Sequence, residues 1–168
     1  MQRDIWVIDI EASGLSPASY PIEVAIVNGD QEYQALIIPA DSWTHWSLKA
    51  AALHGISRHD LENSGKPARR VARELNRILE GKTVYSDHSD WDGFWLQKLF
   101  EHAGIEQTFV LMDITTRLEG FQQDQFVDAL QTLTQSASHR AHRALDDARV
   151  IHRAITLAEV NGGVIDTV

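Results

Sequence analysis

The sequence predicts an α/β fold: a central five-stranded mixed sheet with helices on both faces. Three observations carry that expectation. Three strand-like segments come first in the chain. After them helical and strand-like segments alternate, the pattern of a sheet layered with helices. The 168 residues also contain no internal repeat, low-complexity tract or linker, so residues 1–168 are expected to form one domain.

The elements follow in order. Residues 6–10 (WVIDI), 22–27 and 33–38 read as strands. The stretch NGDQ, Asn28 to Gln31, reads as the hairpin turn between the second and third, and Pro39 ends the third. Residues 47–53 read as a helix stopped by Gly55. In residues 67–80 Val71, Leu75, Ile78 and Leu79 line one helical face, and Gly81 stops the helix. Residues 83–86 form a short strand, 92–102 a helix closed by Gly104, and 109–112 the fifth strand. Residues 125–133 and 143–158 are the last helices.

Composition excludes several classes. Hydrophobic residues make up 43% and charged residues 23%, the balance of a soluble globular protein. There is no cysteine, which rules out disulfides and thiolate metal sites. The opening MQRDIWVIDI is too short and too acidic for a signal peptide, and no apolar run approaches a membrane span. The expectation is a cytoplasmic protein with no membrane partner. A formal charge of −9 argues against gripping long duplex through its phosphates. A short single strand remains open to it if metal ions supply positive charge locally.

Against this background certain carboxylates stand out. Asp9 and Glu11 are two residues apart on a strand, so they point to the same face at its carboxyl end, where open sheets bind ligands. Paired acids repel each other, and a divalent cation relieves the repulsion; a solvated strand end or arginine partners are the plainer alternatives. Asp92 lies four residues before Leu96 on the apolar line of its helix, so it faces inward, as a ligand or as a cap. Asp87 and Asp90 precede that helix and are freer to face water, with Asp87 or Asp90 a rival to Asp92. In HRALDDARVIHRAI, Asp147 borders the stripe of Ala144, Ala148, Ile151, Ile155 and Ala158, while Asp146 lies nearer solvent. His142 sits five residues before Asp147, near the helix start, where a surface or capping role is the alternative.

The ordered set Asp9-x-Glu11, Asp92, then His142 with four residues before Asp147 resembles the DEDDh (DnaQ-like) 3′→5′ exonucleases, of the ribonuclease-H-like superfamily. These include ribonuclease T, oligoribonuclease and polymerase proofreading subunits. DIEASGL is similar to the family's first motif, with Ser13 in place of threonine, and HRALDDA to its third. LHGIS, Leu53 to Ser57, is similar to a segment common between the first two. The middle motif departs, with Asp87-His88 where the family often has His-Asn, and Trp91-Asp92 for Phe-Asp.

The resemblance implies a ribonuclease-H-like fold and two Mg²⁺ or Mn²⁺ ions held by Asp9, Glu11, Asp92 and Asp147, with His142 as general base. It implies that Ala12, Ser13, Gly14 and Leu15 meet the terminal nucleotide, with ordinary packing the alternative for Leu15; Leu53 and His54 read as structural or as lining the same cleft. The substrate implied is a single-stranded nucleic acid with a free 3′ end, DNA or RNA undecided, and some relatives dimerise, so a homodimer is a further expectation. Trp43 and Trp46 read as core or as stacking platforms. Arg69, Arg70, Arg73 and Arg77 read as a solvated helix face or a nucleic-acid track. Two rival functions stay open: a non-catalytic ribonuclease-H-like binding module, and a phosphodiesterase on short oligonucleotides.

Overall fold

The computed structural model describes residues 4–136, 139 and 141–161. Strand β1 (Trp6–Ala12) sends Trp6, Ile8, Ile10 and Ala12 into one hydrophobic layer and Val7 into the other. Side chains alternate along a strand, so Asp9 and Glu11 share the Val7 side. Strand β2 (Pro21–Val27) is buried along its whole length and pairs antiparallel with β1. Strand β3 (Glu32–Ile38) pairs antiparallel with β2 across the expected turn, where Asn28 N–H donates to Gln31 O at 3.0 Å. Strand β5 (Thr83–Ser86) runs parallel to β1, and β6 (Val110–Asp113) parallel to β5.

The sheet has six strands, ordered β4-β3-β2-β1-β5-β6, not the five expected. The addition is β4 (Lys66–Pro67), which pairs with Ile37 and Ile38. Two residues are too few to show an alternating pattern, and the strand lies at the sheet edge, where a proline is tolerated.

Among the described residues six α-helices complete the fold. Helix α1 (Leu48–His54) is capped by Ser47 and ends at Gly55, whose φ of 67° is the left-handed conformation glycine takes freely. Helix α2 (Arg58–Ser64) is absent from the sequence expectation; Ser57 and Asp60 form its capping box. Then come α3 (Ala68–Leu79), α4 (Ser89–Ala103), α5 (Phe121–Thr134) and α6 (Ala144–Asn161). Because α4 starts at Ser89, Asp90 lies inside the helix rather than before it.

The sheet separates two apolar layers. Val71, Leu75 and Leu79 of α3, Leu96 and Leu99 of α4 and Leu61 of α2 pack on one face. Phe126 of α5 and Ala148, Ile151 and Ile155 of α6 pack on the other. Each fully buried Leu or Ile contributes about 1.5–3 kcal/mol. Trp43 belongs to the first layer, stacked on Tyr20 at 5.4 Å between ring centroids. Trp46 lies edge-on to His54 and beneath Arg58. On α3, Arg70 pairs with Glu74 and Arg69 donates to the Ala103 carbonyl, while Arg73 and Arg77 are exposed. No described helix is long and apolar enough to cross a membrane.

One buried charge ties the last helix to the sheet. Glu23 of β2 is fully buried, on the side of the sheet that α6 covers. Its Oε1 accepts from Arg143 Nη2 at 2.8 Å, and its Oε2 accepts from the Ala144 backbone N–H at 3.0 Å. The first N–H groups of a helix have no partner within it, and a carboxylate there also meets the positive end of the helix dipole. Glu23 thus sets where α6 begins, and so where Asp147 falls.

Candidate active site

The carboxylates are delivered by three elements that meet at the carboxyl end of the parallel strands. Asp9 and Glu11 come from the end of β1, where the pairing with β2 shifts register between Glu11 and Ala12. Such irregularities re-aim side chains next to functional sites. Asp92 stands in the first turn of α4, beyond the end of β5, and is 2% exposed. Its Oδ2 accepts from the Ser86 hydroxyl, and Ser86 Oγ accepts from His88 N–H at 2.9 Å. Asp147 stands in the first turn of α6; its Oδ1 lies 2.6 Å from His139 Nε2, and its Oδ2 accepts from the His142 backbone N–H at 2.8 Å.

His142 has a φ of 62°. Non-glycine residues seldom adopt this conformation, and here the bond from its own N–H to Asp147 holds it. A ring nitrogen of His142 and carboxylate oxygens of Glu11 and Asp147 lie within 4.8 Å of one another.

Electrostatics single this cluster out. Burial pushes Asp9 well above the usual aspartate value, and the charges of Asp92, Glu11, Asp147 and Asp87 push it further. Burial and then Asp147 raise Glu11 to about 8, although Arg143 pulls the other way. Glu11 also stands directly across the ladder from Glu23, and the engagement of Glu23 by Arg143 tempers that contact. Burial raises Asp92 to about 7 against the opposing bond from Ser86. Burial raises Asp147 too, partly offset by its bonds from His139 and His142. Asp87 holds His88 protonated to about 9 through a 3.1 Å contact at the rim. Four crowded, half-buried or buried carboxylates rich in oxygen donors fit a hard divalent cation such as Mg²⁺ or Mn²⁺, whose charge removes the repulsion.

Two adjoining cavities share Ile10, Glu11, Leu15, Trp95 and His142. One, of about 320 Å³, is lined by the acids Asp9, Glu11, Asp87, Asp92 and Asp147. The other, of about 390 Å³, is lined by Ala12, Gly14, Leu15, Leu53 and His54 among others. Leu15 is 73% exposed, an apolar side chain standing free at the mouth of both. His54 is 5% exposed; its Nδ1 accepts from Ile56 N–H, which leaves a buried Nε2 without a partner. Gly14 is needed for close packing, since a Cβ there would come within 2.6 Å of the His45 ring.

Ser13 departs from expectation: it lines neither cavity. It is fully buried, its hydroxyl accepts from Tyr20 N–H at 3.1 Å and bonds the His45 ring, and its own N–H and carbonyl are bonded to Tyr20 and Ser47. It braces the loop. Asp90 is exposed and does not line the acidic cavity, whereas Asp87, expected to face water, does. Sequence reasoning passed over Trp95, Ser47 and Lys49, which line the apolar cavity, and His139 as the neighbour of Asp147. For Trp95 the apolar stripe of α4 was a usable signal; for Lys49, a lone cation on a short helix, none was present.

The exonuclease family model RNase T matches residues 6–155. The PolC-type DNA polymerase III of Thermotoga maritima is 30% identical over 158 residues, covering 86% of this chain and 11% of that protein. Its counterpart from Thermotoga petrophila is 28% identical with the same coverage. The chain thus spans about a tenth of the length of these relatives. Among solved structures, Escherichia coli exonuclease I bound to single-stranded DNA with zinc superposes with a TM-score of 0.74 at 14% identity, over 96% of this chain and 41% of that one. The same enzyme with a dA16 oligonucleotide superposes with a TM-score of 0.71 at 14% identity, over 93% and 40%. At that identity the likeness establishes the α/β, ribonuclease-H-like fold alone.

Proposed function

The chain belongs to the RNase T family of DnaQ-like exonucleases, and on that premise we propose that residues 1–168 act as a metal-dependent unit that removes nucleotides from the 3′ end of a single strand. One observation carries the reading. Four carboxylates from β1, α4 and α6 converge, and every one is pushed above its ordinary value by burial and by the others. Perturbed acids gathered in one cavity mark a functional site, and a divalent cation would relieve their repulsion.

Asp9, Glu11, Asp92 and Asp147 would hold Mg²⁺ or Mn²⁺. Bound there, two such ions would supply the positive charge that neutralises the phosphate and stabilises the entering and departing oxygens of an in-line displacement. His142, exposed at the junction of the two cavities, takes the proton from the attacking water on a ring nitrogen. The water oxygen bonds to phosphorus, the bond from phosphorus to the O3′ of the preceding nucleotide breaks, and that O3′ takes a proton from solvent to leave as a new 3′-hydroxyl. The product is a nucleoside 5′-monophosphate. Leu15 and Leu53 offer the terminal base an apolar surface, Ala12 and Gly14 let its sugar approach the backbone, and the free His54 nitrogen offers a hydrogen bond.

Exonuclease I binds single-stranded oligonucleotides in the structures this fold resembles, which supports a single-stranded substrate. The test uses 5′-labelled single strands of DNA and of RNA, each with a free 3′-hydroxyl or a 3′-phosphate. Stepwise shortening from the free end, dependent on added Mg²⁺ or Mn²⁺, is expected, with the 3′-phosphate strands resistant. Equal decay of both ends, or cutting of a closed circle, would overturn the reading.

A further inference from the structure

The segment between α5 and α6 carries two histidines in different settings. His142 is exposed and lines both cavities. The His139 side chain is 5% exposed, and its Nε2 lies 2.6 Å from Asp147 Oδ1. An ionised carboxylate only accepts hydrogen bonds, so Nε2 carries the hydrogen and donates it. We infer that His139 is a positioning residue that fixes the Asp147 carboxylate plane for a divalent cation; the inference rests on the metal-dependent reading above.

The terminal torsion of an aspartate is broad, so a carboxylate held at one point turns about it. Asp147 is held at both oxygens, by His139 on Oδ1 and by the His142 backbone N–H on Oδ2. Each carboxylate oxygen offers two acceptor sites, so one on each oxygen stays open to an ion. A 2.6 Å bond to a charged acceptor is short and directional, and holds orientation better than a diffuse charge. No lysine or arginine forms an ion pair with Asp147 among the described residues, so the orienting role falls to His139. Its burial also separates it from the role of base: the ring is shut away from the water a base must reach, and its Nε2 is engaged. The two histidines therefore divide the labour, His142 on the solvent side of Asp147 and His139 on its buried side. Partners behind metal ligands typically alter metal affinity 10–100-fold.

The test measures Mn²⁺ binding to the full chain without substrate, by the electron paramagnetic resonance signal of free Mn²⁺, in wild type, His139→Leu and His139→Gln. Leucine fills the space without a donor, and glutamine offers an N–H near the place of Nε2. Expected are a roughly 10–100-fold weaker Kd for His139→Leu, recovery of most of that loss in His139→Gln, and an exonuclease rate of His139→Leu that climbs back as Mn²⁺ is raised. Packing loss alone would not be repaired by one amide donor. Should His139→Leu not melt cooperatively, His139→Asn, whose amide is too short to reach Oδ1, replaces it in the comparison. Wild-type Kd in the donor-less variant, or glutamine binding no tighter than it, overturns the role of His139 while leaving the metal reading intact. A wild type that binds no Mn²⁺ overturns both.

Discussion

Replacing Glu11 by glutamine should make the metal-free protein more stable and inactive. Glu11 is pushed from the glutamate value of 4.5 up to about 8 in the fold. At pH 7 the unfolded chain carries this glutamate ionised, whereas the metal-free fold must keep it protonated. The cost is about 2.5 pH units at 1.36 kcal/mol each, or about 3 kcal/mol. Because the folded value is the raised one, this cost is absent below pH 4.5, grows as pH rises, and levels off above about 8. Glutamine keeps the shape without the charge, so the variant escapes it. For a chain of this length 1 kcal/mol moves Tm by roughly 2–4 °C. Thermal melts in EDTA should therefore place Glu11→Gln roughly 6–12 °C above wild type at pH 7 and level with it near pH 4.5. Saturating Mn²⁺ should close the gap by stabilising wild type more than the variant, and the variant should show no exonuclease activity. A variant that melts at or below wild type at pH 7, or a gap that does not change with pH, would refute the view that the acids are held against their repulsion.

Further outcomes can be measured alongside. Asp9→Asn should lose exonuclease activity in both Mg²⁺ and Mn²⁺ while its circular dichroism stays native; activity near wild type would remove Asp9 from the ion site. His142→Ala should lower kcat about 10²–10⁴-fold, the worth of a general base, with a far smaller change in the Mn²⁺ concentration giving half-maximal rate. Glu23→Gln strands Arg143 without its partner and strips charge from the start of α6. Loss of a buried pair costs about 3–5 kcal/mol, so a Tm drop of roughly 6–20 °C is expected by calorimetry, and a drop under 2 °C would contradict the anchoring role.

Much of the site was legible because it follows local rules. The two-residue spacing of Asp9 and Glu11 fixes their common face on any strand, and the apolar stripes of α4 and α6 point Asp92 and Asp147 inward. What escaped depends on partners distant in the chain or on very short elements. Glu23 sits in PIEVAIV and looks like a polar interruption; its meaning comes from Arg143, 120 residues away. The motif resemblance placed Ser13 against the nucleotide, but its hydroxyl serves Tyr20 and His45, a contact that only loop geometry decides. Helix α2 buries only Leu61, so it shows no periodicity, and β4 is two residues long. That the His139 ring lies beside Asp147 while His142 is exposed follows from the bend at His142, which residue spacing does not show.

The order in which the chain supplies its acids has a consequence for synthesis. Asp9, Glu11 and Asp92 are made early, but Asp147 lies 55 positions after Asp92, on a helix that must also cover Val7, Ala25 and Val27. At roughly 5–20 residues per second a ribosome takes roughly 3–11 s to bridge that interval. Throughout it the emerging polypeptide has an incomplete acid cluster and an uncovered apolar sheet face. The candidate site is thus assembled only when the last helix closes over the sheet.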